Sequence, residues 1–140
     1  MAGQSCIFCG IASGEIPSQV VFKDERVVAF LDINPVSRGH TIVIPTEHAC
    51  FLWQLSAPSL SALGVALGRI SLAVKQGVGA EALNILQNNG RLAGQEVEHV
   101  HFHLIPRFPA DHFHYRWPSA PADKAQLAEI CGLIVKHLGC

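Results

Sequence analysis

Runs of apolar residues with a period of two alternate along this chain with stretches whose apolar residues recur every three or four. Val20–Phe22 and Val27–Leu31, rich in β-branched and aromatic residues, flank the charged turn Lys23-Asp24-Glu25-Arg26 and predict a hairpin. Thr41–Pro45 and Leu83–Gln87 predict two further strands, and His99–Ile105 a fifth. In that last strand His99, His101 and His103 share one face, with Val100, Phe102 and Leu104 on the other. Neighbouring rings on the histidine face are expected roughly 7 Å apart, twice the rise per residue.

Between the third and fourth strands, Ser56-Ala57-Pro58 opens a helix with a capping serine and a proline in the first turn. Leu60, Leu63, Leu67, Ile70 and Val74 form its expected buried stripe, and Gly77 and Gly79 end it. Gly64 and Gly68 each cost about 1 kcal/mol against alanine, so close packing is expected where they fall. Residues 5–13 predict a short helix or tight turn, broken by Gly14-Glu15-Ile16-Pro17-Ser18. After an irregular stretch from Phe108 to Pro121, a last helix carries Leu127, Ile130, Ile134 and Leu138 on one side and stops at Gly139. The order predicts an α+β fold: an antiparallel sheet of about five strands, one long helix and a C-terminal helix. Residues 1–140 are expected to be a single domain, with the motifs in about 5–107 and a C-terminal segment over 108–140.

With 49% apolar and 15% charged residues and a net charge of -1, the chain lacks a broad basic field, so no nucleic-acid partner is expected. The apolar runs read as too short to span a bilayer, and no export signal opens the chain; no membrane partner and a cytoplasmic location are expected. Five cysteines, Cys6, Cys9, Cys50, Cys131 and Cys140, argue against a disulfide framework in that setting. Cys50, Cys131 and Cys140 carry no spacing signal.

Cys6-x-x-Cys9 reads as half a metal site, since one turn points both thiolates at one ion. Its other ligands would come from His40, His48, His99, His101, His103, His112, His114 and His137, and spacing does not choose among them. A catalytic metal held by all three strand histidines is disfavoured, because alternate residues on a straight strand spread too far to meet one ion. A third reading makes histidine a nucleophile at phosphorus, needing one fixed tautomer and donors around the phosphate oxygens. Asn88, Gln95 and His103 surround His101 as donors, while Gly90 and Gly94 allow a close backbone approach to an anion.

His99-Val100-His101-Phe102-His103-Leu104-Ile105, preceded by Asn88-x-Gly90 and Gly94-Gln95-x-Val97, resembles the histidine triad (HIT) family of nucleotide-binding hydrolases and transferases. Phe30-Leu31-Asp32-Ile33-Asn34-Pro35 and Gly39-His40-x-x-Val43-Ile44-Pro45-x-x-His48 are similar to the family's second signature. The resemblance spans roughly residues 5 to 107 and implies a HIT-like fold. It implies a hydrolase cleaving nucleoside 5′-phosphate derivatives, such as adenosine phosphoramidates or dinucleoside polyphosphates, through a nucleotidyl intermediate on His101. His103 and Gln95 would bind the α-phosphate, Asn88 would help place the phosphate or leaving group, and Asp32 would accept from ribose hydroxyls. Phe8, Ile11, Ile16, Phe30 and Ile33 would line the base slot, core packing being the competing account, and His40 would support the site from behind.

The branch of the family that carries Cys-x-x-Cys implies a structural zinc on Cys6, Cys9, His48 and His99, and family habit implies a homodimer whose two sheets join. Trp53, Phe113 and Trp117 are compatible with such an interface. Glu96 departs from the family, many of whose members have serine or threonine there; an outward-facing carboxylate is expected. The alternatives are a nucleotidyltransferase or phosphorylase using the same intermediate, and a non-catalytic zinc-braced nucleotide-binding module.

Overall fold

The computed structural model describes residues 6–114 and 116–139. Ser5, at the edge of the expected first helix, and Cys140 lie outside them. Helix α1 (Ile7–Ser13) leads into strands β1 (Val20–Lys23), β2 (Val27–Leu31) and β3 (Thr41–Pro45). Helix α2 (Ala57–Val78), strands β4 (Ala82–Gln87) and β5 (Phe102–Arg107) and helix α3 (Lys124–Lys136) follow. The five strands form one antiparallel sheet in the order β1-β2-β3-β5-β4.

Both faces of this sheet are covered. Val27, Ala29, Val43, Val100 and Leu104 pack with Leu63, Ala66 and Ile70 of α2. Val28, Phe30, Ile42 and Ile44 point the other way, against Phe8 and Ile11 of α1. Burial on both sides explains why β2 and β3 are continuous apolar runs rather than alternating ones. The histidines lie on the α1 face, so the N-terminal helix and the catalytic candidates share one layer.

Helix α2 starts where the serine cap predicts: Ser56 Oγ accepts from the Ser59 amide at 3.4 Å. Its buried stripe is rotated from the expected one. Ser59, Leu63, Ala66 and Ile70 are buried, whereas Leu60 is 38% exposed. Ser59 is tolerated inside because its hydroxyl donates to the Glu47 carboxylate, as does that of Ser56. Those two bonds also hold Glu47 below the usual carboxylate range.

Three further expectations change. Gly64 and Gly68 face open space on the outer side of α2. By length and composition α2 is long and apolar enough to cross a membrane, contrary to the reading of its sequence; here its inner side packs on the sheet. The histidine strand begins later than the alternation suggested, at Phe102, leaving His99 in a bend and His101 in the lead-in, both outside the ladder. Val100 in that lead-in is tied instead to the Ala49 carbonyl by its amide, at 2.8 Å.

Candidate active site and metal centre

Cys6 caps α1, its Sγ accepting from the Cys9 amide at 3.4 Å, so the first turn of the helix delivers both sulfurs to one place. His48 arrives from just beyond β3 and His99 from the lead-in to β5. Their donor atoms converge: Cys6 Sγ to His99 Nδ1 is 3.4 Å, Cys9 Sγ to His48 Nδ1 is 3.3 Å, and the two Nδ1 atoms are 3.2 Å apart. A tetrahedral zinc with bonds of about 2.3 Å to sulfur and 2.05 Å to nitrogen needs S···N edges near 3.6 Å and an N···N edge near 3.3 Å. The donor set fits zinc. His99 Nε2 donates to the Pro45 carbonyl at 2.9 Å, which assigns the ring's proton and turns the Nδ1 lone pair to the cluster. Burial, then hydrogen bonding and repulsion from Cys6, push the Cys9 thiol up to about 11. Burial chiefly pulls His99 down to about 4, so its ring is neutral and able to ligate, while a cation at this spot would bring the Cys9 thiol to its thiolate.

Beside this cluster, the other histidines form a second chain of bonds. His101 Nδ1 donates to the His99 backbone carbonyl at 2.7 Å, which leaves its Nε2 lone pair unprotonated. The Val36 amide donates to His40 Nδ1 at 3.1 Å, so the proton of His40 sits on Nε2, 2.9 Å from His103 Nδ1. His103 is thereby left as an Nε2–H donor. The rings of His101 and His103 are 4.9 Å apart, closer than strand spacing alone suggested, because the side chains converge on one spot.

Burial is the largest cause lowering the pKa of His40, His101 and His103; His103, which also feels His101 and His40, is brought to about 4. Asp32 opposes each of these shifts through its negative charge. The arrangement presents one neutral nucleophilic nitrogen and one neutral N–H donor side by side. That pair suits attack on phosphorus with a donor ready for a phosphoryl oxygen.

Asp32 Oδ1 accepts from the Asn34 amide at 2.8 Å and its other oxygen lies 3.6 Å from His40 Nε2. Phe8 meets His101 edge-on at 5.1 Å between centroids and Phe30 at 5.5 Å. Of the expected base-slot residues, Phe8, Ile11 and Phe30 are buried in the α1 layer, whereas Ile16 and Ile33 are exposed, Ile33 to 89% on its loop. Glu96 is exposed, as expected of an outward carboxylate.

Gln95 departs from its expected part. It is 5% exposed, and its Oε1 accepts from the Gly90 amide at 2.7 Å. Its Nε2 donates to the Cys50 and Val97 carbonyls at 2.7 and 3.1 Å. With both amide protons committed, it braces the loop rather than offering a donor to phosphate. Gly90 and Gly94 take positive φ angles of 93° and 96°, the conformation that lets this loop turn back on itself. Asn88 lies against Gly94 in the same turn. The supporting groups that sequence reasoning missed, the Pro45 carbonyl and the Val36 amide, are main-chain atoms and leave no residue-type signal.

The HIT domain family model matches residues 13–110. The adenosine 5′-monophosphoramidase of Schizosaccharomyces pombe is 42% identical over 125 residues, 88% of this chain and 90% of the relative. A crystal structure of a HIT family member from Bacillus subtilis superposes with a TM-score of 0.93 at 38% identity, covering 98% of this chain and 99% of that one. A zinc-bound histidine triad family protein from Mycobacterium smegmatis gives a TM-score of 0.73 at 33% identity, covering 92% and 97%.

Proposed function

The chain belongs to the HIT-domain family, and on that footing we propose that it is a nucleotide hydrolase releasing a nucleoside 5′-monophosphate through a covalent intermediate on His101. The observation that carries this reading is the 2.7 Å bond from His101 Nδ1 to the His99 carbonyl, which leaves Nε2 as a nucleophile. Nε2 attacks the α-phosphorus, an N–P bond forms as the bond to the leaving group breaks, and water then cleaves the N–P bond. His103 Nε2–H binds a phosphoryl oxygen during both steps, held to that task by His40. Asp32 accepts from the ribose hydroxyls; the Phe8, Ile11 and Phe30 layer floors the base slot, with Ile16 and Ile33 at its rim and Asn88 placing the phosphate. Gln95 acts through the loop it braces. Similarity to an adenosine 5′-monophosphoramidase supports an adenosine phosphoramidate as the substrate.

Cys6, Cys9, His48 and His99 hold a structural zinc in this reading. Four protein ligands leave no position for a catalytic water, so the ion cross-links α1 to the β3 end and the lead-in to β5. With Cys6 and Cys9 given to the ion, the odd count of five cysteines argues against a disulfide framework and favours a reducing compartment such as the cytoplasm.

A homodimer is supported by β4, a sheet edge with no charged residue and no proline to protect it, and by the exposed Val65 and Leu72 of α2.

The test is hydrolysis of adenosine 5′-phosphoramidate by wild type and His101→Ala, with mass analysis of quenched wild-type enzyme. AMP from wild type alone, and a transient protein adduct one adenylyl group heavier, are expected. AMP at equal rates from both proteins would overturn the reading.

A further inference from the structure

On the α2 face of the sheet, a cavity of about 310 Å³ opens between β1, β2 and the C-terminal half of α2. Pockets that hold small molecules begin at about this volume. Its inner wall is made by Thr41 and Ile70, which are 0% and 4% exposed. Gly39 closes one end. An added Cβ there would stand 2.6 Å from Val78 Cγ1, and its φ is 88°, so glycine lets the end of α2 come down onto this loop.

The β1 wall is built against the ordinary alternation of a strand. Val21 and Phe22 are consecutive, and a regular strand would send one of them to each face. Both line the cavity. The pairing of β1 with β2 shifts register between Val20 and Phe22, a bulge that re-aims a side chain and accounts for the pair.

Arg69 is the one charged residue on the lining. Its guanidinium carbon stands 5.6 Å from the centroid of the Phe22 ring, and among the described residues no carboxylate pairs with it. The Thr41 hydroxyl, the other side-chain polar group on the wall, already donates to the Gly39 carbonyl at 2.8 Å. The cavity thus offers apolar walls and a single fork of N–H donors. A carboxylate takes two parallel bonds from one guanidinium, whereas a phosphate would bring further charge and oxygens that nothing here matches. From Arg69 to Gly77, beside the closed end, the helix rises about 12 Å, which suits an extended chain.

We propose that this cavity binds a medium-chain aliphatic monocarboxylate, its carboxylate on Arg69 and its tail running along α2 toward Gly39. The site is separate from the candidate active site but backs onto it. Leu31 and Thr41, partners across β2 and β3, line the cavity, while their chain neighbours Asp32 and His40 lie together on the opposite face.

The test titrates the full chain with octanoate, using calorimetry for the Kd and backbone amide shifts for the location. Substrate is absent, so the outcome does not depend on the hydrolase reading. Saturable binding is expected, with shifts centred on Thr41, Ile70 and Ala73. Arg69→Gln should raise the octanoate Kd by at least ~10-fold, and octan-1-ol should bind the wild type weaker than octanoate by a similar factor. Ala73→Phe, which places a ring in the cavity, should also raise the Kd by at least ~10-fold. Both variants should release AMP from adenosine 5′-phosphoramidate within about twofold of wild type when octanoate is absent, which reports that they are folded. No saturation by about 10 mM, or shifts centred elsewhere, would overturn the site. Octan-1-ol binding as tightly as octanoate, or a Kd indifferent to Arg69→Gln, would overturn the carboxylate. Acetate binding as tightly as octanoate would overturn the role of the cavity and leave only an exposed cation.

Discussion

His101 is joined to His99 by a 2.7 Å hydrogen bond from its Nδ1 to the His99 backbone carbonyl, while the His99 ring belongs to the cysteine–histidine cluster. The main chain of one residue thus sets the tautomer of the candidate nucleophile, and its side chain helps hold the candidate zinc. In the proposed reading the structural ion and the reacting nitrogen are mechanically linked without sharing any chemistry.

Removal of the ion should therefore be felt in both stability and turnover. Stripping zinc with a chelator, or Cys9→Ser, is expected to cost ~3 kcal/mol and lower Tm by about 10 °C. Calorimetry alongside elemental analysis checks this. Freshly purified protein containing no zinc, yet melting like the chelator-treated sample, would contradict the assignment.

In the proposed mechanism His40 acts on the reaction through His103. His40→Ala frees His103 to exchange tautomers and should lower kcat by about 10–100-fold with little change in KM. His40→Asn, whose amide can still donate to His103 Nδ1, should recover much of that loss. Nitrogen-15 shifts of the His103 ring report the tautomer directly; a ring unchanged in His40→Ala would refute the relay.

Under the proposed mechanism, protonation of the buried histidines is expected to set the acid limb of activity. His101 and His103 are held below the usual histidine value mainly by burial, His103 at about 4, so both are neutral and competent at pH 7. Activity should hold at neutral pH and fall toward pH 4 as the rings take up protons. Stability follows the same sign. Between about 6.5 and 4 the unfolded chain binds protons that the folded one refuses, so lowering the pH through that window destabilises the fold. Rate and Tm profiles from pH 4 to 8 test both statements, and a Tm that rises on acidification would contradict the second.

Gln95→Ala separates loop bracing from phosphate binding. Removing a buried amide with three bonds should destabilise the protein by about 1–3 kcal/mol, since the Gly90 amide and the Cys50 and Val97 carbonyls lose their partner. Denaturant unfolding measures this. Unchanged stability with a large rise in KM would instead restore Gln95 to a direct phosphate contact.

Much of this molecule is written in local patterns. Thr41–Pro45 is a strand with the expected limits, and the Ser56 cap marks the start of α2 to the residue. Other features depended on distant partners. The stripe of α2 turned toward Ser59 because Glu47, twelve residues away, satisfies a hydroxyl that polarity alone would place outside. The histidine strand lost its first turn of ladder because the Val100 amide found the Ala49 carbonyl instead.

By itself the sequence determined the element order, the histidine alternation and the chemical types available, because side-chain period and capping are properties of short segments. Which sulfur meets which imidazole, which ring nitrogen carries a proton and which amide is already spent were decided only by tertiary structure. Those outcomes turn on main-chain atoms such as the Pro45 carbonyl and the Val36 amide, present at every position and given a role only when folding brings them within 3 Å or so of a ring.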